Sequence, residues 1–169
     1  ICLLLLSIFT ITLINGLFLE KYYVSKKVEV LEEAKEVLSQ MNLDDILQYD
    51  TDIEEDKKGA TDEISDEIER SSSRNNLTWI IVNEENSGYY YWGENNMAKM
   101  LRSKLFGYIN DLDKDMERSH TLKKTDNCTI WQVHDRFAGM EYVECWGQFD
   151  NGYYYLVRSP LESIKESAS

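Results

Sequence analysis

The chain has one proline, two histidines and three cysteines among 169 residues, and its 31 acidic residues outnumber 18 basic ones. Each scarcity closes off a class of function. With only His120 and His134, no H-E-x-x-H metalloprotease spacing forms, and neither histidine stands at zinc-site spacing from Cys128 or Cys145. A nucleophile pair of Cys145 and His134 is no more than chance supplies. No G-x-S-x-G, P-loop or dinucleotide fingerprint occurs, so no cofactor or metal is expected and enzymatic activity has no positive support. The net charge of −13 argues against a nucleic-acid partner, which needs clustered Lys and Arg. Cys2 falls in an apolar run, leaving Cys128 and Cys145 as the two that could pair; their spacing does not settle strand register, and the disulfide stays open.

Charge is also missing from the first nineteen residues, ICLLLLSIFTITLINGLFL. As a helix this run spans roughly 28 Å, close to the ~30 Å hydrocarbon core of a bilayer. A membrane helix is expected rather than a secretory signal, because the run exceeds the roughly 7–15 apolar residues of a signal peptide and Leu17-Phe18-Leu19-Glu20 offers no small residue for cleavage. Lys21, Lys26 and Lys27 follow it, which by the positive-inside tendency points this flank toward the cytoplasm.

What is present is pattern. Val24, Val28, Leu31, Ala34, Leu38 and Met41 recur at spacings of three and four, predicting a long amphipathic helix continuous with the membrane run. Such a helix packs on a core, and could also pair with its twin in a homodimer. Residues 44–62 crowd Asp and Glu without meeting the calcium-loop pattern, so they read as a solvated loop. A short helix over 63–70, anchored by Ile64 and Ile68, precedes a polar link at 71–76. The run TWIIV at 78–82 predicts a central strand and YYYW at 89–92 a second. Asn96 is expected to cap a helix carrying Met97, Met100, Leu101, Leu105, Tyr108, Ile109 and Leu112. A polar link at 117–126 leads to strands over 128–137 and 140–149, joined at Ala138-Gly139. Asp150-Asn151-Gly152 then predicts a type I′ hairpin turn and a fifth strand. Ser159-Pro160-Leu161-Glu162 has the form of a helix start, with Ser as N-cap, Pro at the first helical position and Glu closing a capping box.

The expected fold is α+β. A transmembrane helix (1–19) runs into a long helix that opens a domain (20–160) built on a five-stranded antiparallel sheet with helices packed on it, and an outgoing helix (161–169) follows. The type I′ register sets Asp150 opposite Tyr153 and so Arg158 across from Cys145, on the same side as Phe149, Tyr154, Gly147, Leu156 and Val143. A guanidinium on that largely apolar side needs a partner, for which Glu162 or a carboxylate of the long helix is the candidate. Arg158, Ser159, Pro160 and Glu162 would then couple the last strand to the outgoing helix.

The segment WGQFDNGYYYLVRSPLESIKES, residues 146–167, resembles the end of the extracellular sensor domain in a group of transmembrane sensor histidine kinases of Gram-positive bacteria. There a strand reading like WGQLDNG leads through a second strand ending in R-[ST]-P-L into a helix ESI-x-ES. Trp146, Gly147, Gln148, Asp150, Asn151, Gly152, Arg158, Ser159, Pro160, Leu161, Glu162, Ser163, Ile164, Glu166 and Ser167 carry the match. The resemblance implies a PAS-like or Cache-like sheet, a second membrane helix and a kinase beyond Ser169, and a sensor domain outside the cell membrane, against the lysine hint. His134-Asp135 superficially looks like a phospho-accepting motif but sits in a β-patterned run, so these residues are not expected to bind ATP or transfer phosphate.

The resemblance also places a ligand pocket between the sheet and the connecting helix. Trp79, Tyr91, Trp131, His134, Arg136, Tyr142 and Trp146 are the candidate lining, an aromatic wall with a few polar anchors, although alternating aromatics on strands first of all mean core packing. The expected function is sensing of a small-molecule or protein ligand, or of envelope stress, passed to a kinase through a shift in helix packing. The alternatives are the same domain on a chemoreceptor or cyclic-dinucleotide enzyme, and a membrane-anchored extracytoplasmic binding or scaffold protein.

Overall fold

The computed structural model describes residues 1–43, 60–83, 89–93 and 97–161. Helix α1 (Cys2–Ser39) runs unbroken from the apolar run into the amphipathic stretch. Thr10 and Thr12 donate their hydroxyls to the carbonyls of Leu6 and Ile8, at 2.7 and 2.8 Å, so their polarity is satisfied within the helix. A window of mean hydropathy 2.3 makes α1 long and apolar enough to cross a membrane, and none of that window is buried against the rest of the chain. Further along, Leu31, Ala34 and Leu38 are buried beneath the sheet. One rod therefore meets two environments.

Two further helices, α2 (Ala60–Asn75) and α3 (Ala98–Ile109), and a 3₁₀ turn (Lys114–Arg118) accompany six strands. These are β1 (Thr78–Val82), β2 (Tyr89–Trp92), β3 (Ser119–Thr125), β4 (Cys128–Asp135), β5 (Met140–Gln148) and β6 (Tyr154–Pro160). Their order is β2-β1-β6-β5-β4-β3, with every neighbouring pair antiparallel. The last strand thus lies in the middle of the sheet. One face sets Trp79, Ile81, Val143, Cys145 and Val157 against α1; the other sets Ile80, Val82, Trp131, Val133 and Leu156 against Leu101, Leu105 and Tyr108 of α3. Covering both faces explains why TWIIV is apolar throughout instead of alternating.

Several elements depart from expectation. The sheet has six strands and not five, because SHTLKKT, inside the expected polar link, forms the edge strand β3, exposed along most of its length. Helix α2 continues through residues expected to be a link, and α3 ends at Ile109, leaving Leu112 exposed. Strand β4 stops at Asp135, whose Oδ1 turns back to accept the amides of Phe137 and Ala138 at 2.8 and 3.1 Å. Asn96, the acidic stretch over 44–59, the side chains of Ile64 and Ile68, and the outgoing helix from Glu162 onward lie outside the described residues.

The expected helix start at Ser159 is corrected as well, since Ser159 and Pro160 complete β6. Pro160 pairs with Tyr142, and the Leu161 amide donates to the Glu141 carbonyl at 2.9 Å. Amides alternate in direction along a strand, so the one Pro160 lacks would face the side where β1 has already ended at Thr78. The Ser159 hydroxyl, instead of capping a helix, accepts from Lys27 Nζ at 2.7 Å and donates to the Asn75 carbonyl at 3.2 Å.

The hairpin turn carries the largest correction. The Gly152 amide donates to the Phe149 carbonyl at 2.9 Å, the Phe149 amide donates to the Tyr153 carbonyl at 2.8 Å, and only Gly152, at φ +91°, is left-handed. That is a type I turn over Asp150-Asn151 followed by a glycine bulge, a three-residue loop in place of a type I′ pair. Gln148 therefore opposes Tyr154, and Arg158 opposes Glu144. A slip of one residue exchanges faces. Arg158 stands on the α3 face with Leu156, Trp146 and Tyr142, away from Cys145 and Val143.

Candidate functional site

The corrected register buries a guanidinium in the α3 face, and charged side chains from four other elements converge on it. Arg158 donates to Asp135 Oδ2 at 2.5 Å and lies 3.7 Å from Glu144 Oε2. Asp135 Oδ2 is also 3.7 Å from Lys104 Nζ, which donates to Asp115 Oδ2 at 2.6 Å. Asp115 Oδ1 accepts from Arg136 Nε at the rim. Glu144 Oε1 accepts from both the Tyr108 hydroxyl, at 2.7 Å, and the Trp131 indole, at 2.9 Å. The result is one alternating chain from Arg136 through Asp115, Lys104, Asp135 and Arg158 to Glu144, all of it buried except Arg136. Aromatic rings enclose its inner end. Tyr108 meets Trp131 edge-on at 4.8 Å, Trp146 lies 5.2 Å from Trp131, and the Arg158 guanidinium sits 3.9 Å over the Tyr142 ring.

Burial works to raise the carboxyl of Asp135, but hydrogen bonds from Arg158 and the Ala138 amide, with the nearby charge of Lys104, hold it below the ordinary range. Asp115 follows the same logic through Lys104 and Arg136. Glu144 goes the other way: burial pushes it up, and the donors around it only partly offset that. Its Oε2, Arg158 Nε and Trp146 Nε1 are buried without hydrogen-bond partners among the described residues. Such a chain fastens α3, the 3₁₀ turn and the β4–β5 turn to the central strands. Chemistry on a substrate there would require the α3 face to open.

No family model, curated protein or solved structure matches the chain. The site therefore rests on its own geometry. Of the sequence candidates, Tyr91, Trp131, Tyr142 and Trp146 gather on the α3 face and Arg136 reaches it from the turn. Trp79 lies on the opposite face, beneath α1. His134 is half-exposed and pairs with Glu141 at 3.1 Å. Arg158 and Ser159 point to opposite faces, the first into the charge chain and the second toward α1; Glu162 lies outside the described residues. Lys104, Tyr108, Asp115, Asp135 and Glu144 were not among the candidates. Two of them had a readable signal: Lys104 falls within the apolar stripe of Leu101, Leu105 and Tyr108, and Glu144 sits between Tyr142 and Trp146 at the strand period.

The α1 face holds a second polar feature. Cys128 and Cys145 are both free thiols, with Sγ atoms 3.3 Å apart. The hydrogen bond from Cys145 brings Cys128 down to about 6, and the same contact together with burial pushes Cys145 up.

Proposed function

We propose that residues 20–161 form the extracytoplasmic signal-sensing domain of a membrane sensor histidine kinase, acting as a homodimer paired along α1 and passing its input to the kinase by a change in helix packing. The observation that carries this reading is the continuity of α1, which joins the apolar run to the buried positions Leu31, Ala34 and Leu38 without a break. A shift of the sheet against these residues moves the membrane segment with it. Lys27 adds a direct tie, since it bonds Ser159 at the end of the central strand β6. The charge chain on the opposite face supports a switch between discrete states, because separating Arg158 from Asp135, or Lys104 from Asp115, breaks a close buried ion pair. The kinase assignment comes from the resemblance of residues 146–167.

The test has two parts. Asp150→Cys, in the exposed hairpin turn and in a Cys2→Ser background, because Cys2 is exposed, should react with a membrane-impermeant maleimide on intact cells, where buried Cys128 and Cys145 do not. In membranes carrying the natural full-length protein, ATP should yield phosphohistidine, and Lys27→Met should change its basal level while the domain stays folded. Labelling only after lysis, or no phosphohistidine, sinks the proposal.

A further inference from the structure

Helices α1 and α2 leave a cleft on the β1 face. Its volume is about 280 Å³, near the lower end of the range for small-molecule sites. Val30 and Val37 of α1 supply its accessible apolar lining over the buried Ala34, Leu38 and Trp79, and Arg70 and Arg74 line it from α2. Spaced four apart, the two arginines lie on one face of that helix. Both are exposed, and neither guanidinium bonds or pairs with a described residue. In a chain with 31 acidic residues and 18 basic ones, two adjacent arginines without a described partner are unexpected. The cleft thus combines two guanidinium groups without a described partner with an apolar wall, and among the described residues Glu33 on α1 is the one carboxylate that lines it.

The geometry points to this cleft as a binding site for a small organic carboxylate with an apolar or aromatic body. The arginine pair takes the carboxylate, for which guanidinium groups have matching fork geometry, and the hydrocarbon part packs on Val30 and Val37. Glu33 disfavours a second negative charge at the α1 side. Because the walls are the membrane-directed rod and α2, an occupant would favour one separation of these helices over another. The assignment deepens the sensing reading and rests on it only for that consequence.

The whole chain in lipid nanodiscs is titrated calorimetrically with phenylacetate, 4-phenylbutyrate and hexanoate, with phenylacetamide and phenethylammonium as neutral and cationic controls. At least one carboxylate should bind saturably, tighter than about 1 mM, and phenylacetamide at least about tenfold more weakly. The Arg70→Gln/Arg74→Gln double variant, altered at two exposed positions and checked for an unchanged melting temperature, should lose about tenfold or more in affinity. No saturable carboxylate binding up to about 10 mM, undiminished binding by the double variant, or a preference for phenethylammonium overturns the assignment. Phosphorylation of the natural full-length protein is scored separately, so that binding without any change in phosphorylation removes the sensing reading and leaves the site standing.

Discussion

Asp135 divides its two oxygens between a turn and an arginine, and that division makes it the most sensitive residue of the charge chain. Asp135→Asn keeps an acceptor for the Phe137 and Ala138 amides but turns an amide toward Arg158 and Lys104. The expected loss is about 3–5 kcal/mol in urea unfolding, the cost of leaving a buried charge without its counterpart. Adding Arg158→Met should cost less than the two single losses summed, because both variants break the same link. Glu144→Gln should cost less than about 1 kcal/mol near neutral pH, since the oxygen that accepts from Tyr108 and Trp131 survives. The pH dependence separates the carboxylates. Asp135 and Asp115 are held low in the folded state, so their contribution is present above the unfolded value of about 3.9 and is lost as pH falls through their folded values. Glu144 is raised, so its contribution is present below about 4.3 and is lost as pH rises through its folded value. Mild acidification from neutral should therefore stabilise the wild-type domain before stronger acid destabilises it, and Glu144→Gln should abolish the first phase alone. Urea midpoints across an acid series decide between these outcomes.

At the level of elements, β1 and β2 were legible to the residue, because a continuous run of Trp, Ile and Val and a run of Tyr and Trp fit only a pleated, covered position. β3 was not, because an edge strand needs no apolar alternation and its lysines face solvent, so its composition is that of a loop. The β5–β6 register failed for a different reason. Asp150-Asn151-Gly152 suits a two-residue turn with two positive φ angles as well as a three-residue turn with one, and the choice lies in the packing of the strands beyond it. The buried arginine was foreseen, but its partners were not. Gly147 marks another point where the elements meet closely: a Cβ there would lie 2.0 Å from the Asn127 carbonyl and 3.1 Å from the Tyr155 hydroxyl. Gly147→Ala should destabilise the domain by about 1–3 kcal/mol, seen as a lower melting temperature, because a backbone carbonyl in a tight β3–β4 turn has little room to retreat.

For the whole molecule, α1 is the readable part, since its uncharged run and its spaced apolar stripe are both local patterns. The α1–α2 cleft was invisible, because the end of α2 reads as a polar link and Arg70 and Arg74 as ordinary solvent charges. If the rod couples the sheet to the membrane, its phase matters. One alanine inserted between Tyr23 and Val24 turns the apolar run by about 100° relative to the domain and leaves the buried stripe intact. On the proposed kinase reading, domain stability should be unchanged while phosphohistidine in the natural full-length protein shifts. Four inserted alanines, close to a full turn, should move it back toward the original level, and indifference to both insertions would count against transmission through α1.

The outer strand β3 limits how the sheet can grow on one side. Between Thr121 and Lys123 the pairing with β4 skips Leu122, which turns inward toward the α1-face core, while Lys123 reaches across to Glu32 of α1. A strand arriving at this border would meet an interrupted row of amides and carbonyls and two consecutive lysines, Lys123 and Lys124. Copies of the domain brought together are therefore hindered from joining through this border into a continuous sheet, and growth by strand addition is left to the β2 side.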